Sequence, residues 1–167
     1  MSDPLHSLTL LGLAGARASA RIPISRTLLN RLIANALAGR DTPVKSVDVR
    51  PRAGDQFDAV VTVSWPFVPA LTASFAIEQQ PAFPASPVLV LRWSFLGAVG
   101  AIASRLTKSF ESKLPPGVRF DGDRLLLDLA VLAAGSPAAP YVGYVKALEL
   151  HTLDDRGVID VELAIPE

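Results

Sequence analysis

Cysteine is missing from all 167 residues. Its absence excludes a disulfide framework, thiolate ligation of zinc or an iron–sulfur cluster, and any thiol nucleophile. Histidine occurs twice, as His6 and His151. With no H-x-x-x-H pair, a metal centre would have to draw most of its shell from carboxylates. Charge is also scarce. Asp, Glu, Lys and Arg make up 19% of the chain, below the roughly 25% of an average domain, and 16 basic residues balance 16 acidic ones. A net charge of zero withholds the global attraction on which nucleic-acid binding rests. The basic stretch Arg17, Arg21, Arg26, Arg31, Arg40, Lys45, Arg50 and Arg52 has no aromatic interleaving, so base stacking has no support. A solvated face is the simpler reading of it than a lipid or nucleic-acid surface.

Catalytic and nucleotide motifs are lacking as well. G-x-S-x-G, a three-glycine dinucleotide fingerprint and a G-K-S/T phosphate loop do not occur, and the pairs Gly12/Gly15 and Gly97/Gly100 lack the third glycine. Ser136 follows Gly135 in a loop-like run. Asp121-Gly122-Asp123 lacks the spaced oxygens of a calcium loop and reads as a hairpin turn. His151, flanked by Glu149, Asp154 and Asp155, permits an imidazole–carboxylate pair, for which a solvated surface histidine is the bland alternative.

No uninterrupted membrane span is present. Ala59 to Ile77 carries no charge, but Pro66 and Pro69 divide it, and Thr62, Ser64, Thr72 and Ser74 alternate with apolar residues as in strands. The apolar run Leu8 to Ala16 resembles the core of a secretion signal. Asp3 is the only charge before Arg17, where a signal needs Lys or Arg, and this argues against one. A cytoplasmic location, or one peripheral to a membrane, is expected.

What the chain has in excess is apolar surface: 50% of residues are of the AVILMFWYC class and mean hydropathy is +0.35. The length fits one domain, residues 1–167. Leu28, Leu29, Leu32, Ile33, Ala36 and Leu37 recur at helical spacing behind a Ser25 cap, with Arg26, Asn30, Arg31 and Asn35 on the other side. Strands are expected over Ala16–Ile24, Val44–Arg52, Phe57–Trp65, Leu71–Ile77, Val88–Trp93, Arg124–Leu132, Tyr144–Leu153 and Val158–Ile165. Val88–Trp93 stays apolar on both faces except at Arg92, so it should be covered twice. Val99, Ile102, Ala103, Leu106 and Phe110 mark a second amphipathic helix over 96–111, ended by Pro115-Pro116-Gly117.

The run ARIPISRTLLNRLIANAL with VKSVDVR, the segment LPPGVRFDGDRLLLDLAV and the closing ALELHTLDDRGVIDVELAI together resemble the small bacterial relatives of tubular lipid-binding proteins. That superfamily holds the bactericidal permeability-increasing and synaptotagmin-like mitochondrial lipid-binding domains. The likeness lies in element order over most of the chain, not in motifs, and it implies a helix held in a bent antiparallel sheet with lipid tails in the seam.

The expected fold is therefore α+β: one strongly curved antiparallel sheet wrapped around two amphipathic helices. The expected function is non-catalytic binding of a lipid or other apolar small molecule, with no cofactor, no metal and no nucleic-acid partner. Leu29, Leu32, Ile33, Val99, Ile102 and Leu106 from the helices and Val61, Val63, Phe75, Ile77 and Leu129 from strands are the expected groove lining. Two alternatives stay open: an interaction domain whose apolar face serves a homodimer or protein partner, and a small enzyme built on His151.

Overall fold

Period-2 alternation drives extended structure through most of the chain. The computed structural model describes residues 15–38, 44–64, 66, 68–95 and 114–166. In them run β1 (Arg17–Ser25), α1 (Arg26–Leu37), β2 (Val44–Arg52), β3 (Gln56–Val63), β4 (Leu71–Gln79), β5 (Val88–Phe95), β6 (Val118–Asp121) and β7 (Arg124–Asp128). They are followed by α2 (Leu129–Ala134), a 3-10 turn (Ala139–Tyr144), β8 (Val145–Leu153) and β9 (Arg156–Ala164).

The strands form two antiparallel sheets. A six-stranded sheet has the order β2-β3-β4-β5-β7-β6, and a three-stranded sheet has the order β1-β9-β8, joining the first described strand to the last. In the larger sheet Pro51 faces Phe57, Val49 faces Ala59, Phe57 faces Phe75, Ile77 faces Leu91 and Leu91 faces Leu125. One face is consequently apolar from β2 to β7. The Phe57 and Phe75 rings stack on it with centroids 5.0 Å apart. The opposite face carries Asp58 accepting from Ser74 Oγ at 2.7 Å and from Arg52, and Glu78 between Arg92 and Arg124. The Arg124 hydrogen bond holds the Glu78 carboxyl below its ordinary pKa against the opposing pull of burial. Leu89, Val90 and Leu91 are all buried, so β5 is covered on both faces, as its sequence implies.

A single sheet wrapped around two amphipathic helices is not what forms. Strands and bridges account for 57% of the described residues, the sheets are two, and the three helical pieces are short. The reason lies at the edges. β2 and β8 are edge strands, and an edge strand exposes unpaired N–H and C=O groups at every second residue. Here side chains take them. The Asn30 amide clamps Val49, accepting from its N–H at 2.7 Å and donating to its carbonyl at 3.0 Å. Gln80 clamps Leu150 in the same manner, at 2.9 and 2.6 Å. Asp55 accepts from Thr152 N–H at 3.0 Å, and Asp154 from Ala53 N–H at 3.2 Å. Among the described residues the two sheets share no ladder; these side chains, with the backbone bond from Asp155 N–H to the Pro51 carbonyl at 3.3 Å, link them.

Two local expectations also change. The strand foreseen over Arg124–Leu132 ends at Asp128, whose carboxylate accepts from the N–H groups of Ala130 and Val131 and caps α2. Leu129 is thus helical, not a strand residue. Gly117 permits the turn before β6: its φ is +90°, and a Cβ there would lie 3.0 Å from Val131 Cβ and 3.1 Å from the Asp128 carbonyl. The helix foreseen over 96–111, with Val99, Ile102 and Leu106, lies outside the described residues. No helix among the described residues is long and apolar enough to cross a membrane.

Candidate ligand cavity

The seam between the sheets begins at α1. Ser25 accepts from Leu28 N–H at 3.2 Å and starts the helix. Arg26 makes two bonds to the Asp48 carboxylate, at 3.0 and 3.2 Å, and Asn30 grips Val49 one turn later. Burial pushes the Asp48 pKa up, but the guanidinium groups of Arg26 and Arg50 outweigh it and hold the carboxyl below its ordinary value. These bonds fix the rotation of the helix about its axis. They turn Leu29 and Ile33 inward and leave Leu32 51% exposed. Arg26 and Asn30, expected on the solvent side, are the residues that dock the helix.

Behind α1 lies a cavity of about 400 Å³. Its walls are Leu29 and Ile33 of α1, Val47, Val49 and Pro51 of β2, Phe57 and Ala59 of β3, Phe75 and Ile77 of β4, Leu89 and Leu91 of β5, and Leu125 and Leu127 of β7. The three-stranded sheet closes it with Ile24, Leu150, Gly157, Val158 and Ile159. The same sheet supplies the two polar members of the lining, His151 and Thr152. Asp55 Oδ1 and Oδ2 both lie 3.3 Å from His151 Nδ1, and Glu149 Oε2 lies 3.4 Å from Nε2. The Asp55 hydrogen bond raises the imidazole pKa, burial opposes it, and Glu149 adds to the rise. With a carboxylate at each nitrogen, the imidazolium can donate on both sides. Asp55 belongs to the β2–β3 turn and His151 to β8, so this contact too ties one sheet to the other.

The structure brings together Leu29, Ile33, Phe75 and Ile77 of the expected lining. Val61 pairs with Val47 and Leu71 on the same sheet face, and Val63 is buried, but both lie beyond the cavity wall. Leu32 and Leu129 also stand apart from it, and Val99, Ile102 and Leu106 lie outside the described residues. The residues that sequence reasoning missed come chiefly from β2, β5, β7 and the closing strands. Val47, Val49 and Pro51 alternate, as do Leu125 and Leu127, which was signal enough for an inward face but not for a cavity. A second recess, about 490 Å³, lies at the far end of the smaller sheet among Arg17, Ser19, Lys146 and Glu162. Its charged rim lacks an apolar enclosure. Among the described residues no group of three His, Asp or Glu side chains is placed to hold a metal ion.

No protein-family model, curated protein or solved structure matches the chain.

Proposed function

We propose that this domain binds a lipid or comparably apolar small molecule, without covalent chemistry, in the cavity between its two sheets. The observation that supports the reading is the lining itself: about 400 Å³ walled by aliphatic and aromatic side chains, with His151 and Thr152 as its two polar members. The volume falls within the roughly 300–1,000 Å³ of small-molecule sites. The lining is almost wholly apolar, and an apolar occupant would take that surface out of water. The test is native mass spectrometry of the recombinant protein followed by organic extraction: a stoichiometric apolar adduct supports the proposal. A protein that carries none and takes up no Nile red or fluorescent acyl probe overturns it.

One observation favours a second reading, an apolar face used for pairing with another copy. Ile22 of β1 is 46% exposed and Leu32 of α1 51%, and β1 is an edge strand nine residues long. Light scattering of the purified chain separates monomer from dimer.

A further inference from the structure

Thr152 has a hydroxyl without a use in the protein itself. It lies on β8 in the cavity lining, and its Oγ1 is shut off from solvent with no hydrogen-bond partner. Its N–H is already given to Asp55. A buried hydroxyl left unpaired is destabilising, and Val would fill the same space without that penalty. The other polar side chain of the lining offers no substitute. Both nitrogens of His151 face carboxylates, Asp55 on one side and Glu149 on the other. Thr152 is itself part of the lining, and a step of χ1 between staggered wells is the motion by which its hydroxyl would meet an occupant.

Charge around His151 narrows the occupant further. Asp55 and Glu149 flank His151, and Asp154 and Asp155 form the turn that follows β8. The cations that answer them are His151, Arg156 and Arg26, and Arg26 is shared between Asp48 and Asp155. The four carboxylates Asp55, Glu149, Asp154 and Asp155 outnumber those three cations, two of which, Arg26 and His151, are already paired, so a ligand carboxylate would lose its hydration in a region of excess negative charge. Resting on the function proposed above, we infer that the ligand is a neutral amphiphile: an alkyl or acyl chain bearing an uncharged hydrogen-bonding group, such as an alcohol or an ester carbonyl, which pairs with the Thr152 hydroxyl. A threonine hydroxyl can donate or accept, so either kind of head satisfies it.

Displacement of Nile red from the full chain at about pH 8, where an alkanoic acid is ionised, tests this with decanol, decanoate and decane as competitors. Decanol should bind at least tenfold more tightly than decanoate. Thr152→Val should weaken decanol about threefold to tenfold, the worth of one neutral hydrogen bond, and leave decane unchanged. Thr152→Ser should retain the preference. Circular dichroism and melting temperature establish that each variant is folded, and Thr152→Ala replaces the valine variant if that one is not. An equal response of decanol and decane to loss of the hydroxyl overturns the assignment of Thr152. Decanoate binding as tightly as decanol overturns the charge argument. If the wild type takes up neither the dye nor any competitor, it is the proposed function that fails, not the ligand class alone.

Discussion

Asn30→Ala tests the idea that side chains at strand edges hold this fold together. The substitution removes three hydrogen bonds: the Val49 N–H to Oδ1 at 2.7 Å, Nδ2 to the Val49 carbonyl at 3.0 Å, and Nδ2 to Asp48 Oδ1 at 2.9 Å. Val49 is 7% exposed, so its two backbone groups have little water to turn to. One buried group left unpaired costs about 1–3 kcal/mol. Partial access of water at the helix–strand boundary, and the better helix propensity of Ala by up to about 0.7 kcal/mol, both reduce the total. A net loss of about 2–3 kcal/mol remains. With a urea dependence of about 1–3 kcal/mol per molar, the unfolding midpoint should fall by roughly 1–2 M. Asn35→Ala is the control, since it makes the same chemical change in the same helix at an exposed position. It should leave stability unchanged or raise it slightly. Asn30→Asp should be at least as damaging as Ala at neutral pH, because it keeps one acceptor, loses both donated bonds and sets a second carboxylate beside Asp48. Urea titrations followed by circular dichroism measure all three. Midpoints for Asn30→Ala and Asn35→Ala within about 0.5 kcal/mol of each other would refute the edge-clamp account.

The His151 contact should make stability depend on pH. Its pKa is raised in the folded state, so its contribution is fully present below the unfolded value of about 6.5 and is lost as pH rises through the higher folded value. Half-exposure limits the effect to below about 1 kcal/mol. The melting-temperature difference between wild type and His151→Asn should therefore shrink on going from about pH 6 to pH 9, and a difference that widens would contradict the contact. Ala59→Leu adds bulk to a cavity wall at a residue only 4% exposed. Nile red binding should weaken by about tenfold or more while the protein stays folded, within the roughly 1–3 kcal/mol that overpacking costs. Undiminished dye binding by a folded variant would place the site elsewhere. Gly117→Ala should cost about 2 kcal/mol or more, because it combines a φ of +90° with contacts at 3.0–3.1 Å to Val131 and Asp128; a neutral result in thermal melts would contradict that geometry.

Side-chain periodicity reports which way a residue points relative to its own strand or helix, and within that reach the sequence was informative. The cap at Ser25, the meander from Val44 to Ile77 and the Asp-Gly turn that joins Phe120 to Arg124 all form. It was ambiguous where two patterns overlap. Along α1, Leu28–Leu32 and Leu29–Ile33 are equally good helical stripes, and the choice between them fell to Asn30 and Arg26, which have to meet β2. It misled at Asp128, where alternation continues past a side chain able to cap a helix.

By itself, then, the sequence determined that this chain would be rich in antiparallel strands, that most would carry one apolar face and β5 two, and that thiol chemistry was excluded. Each follows from residue type and local spacing. Only the tertiary structure decided that the strands divide into two sheets, that Gln80 reaches Leu150 and Asp55 reaches Thr152 across 70 and 97 residues of chain, and that the inward faces leave space between them. Pairing of β1 with β9, and the clamps on β2 and β8, are contacts between segments far apart in the chain. Their partners are chosen by the competition of all strands for edges and of all polar groups for hydrogen bonds, a competition that no local pattern records.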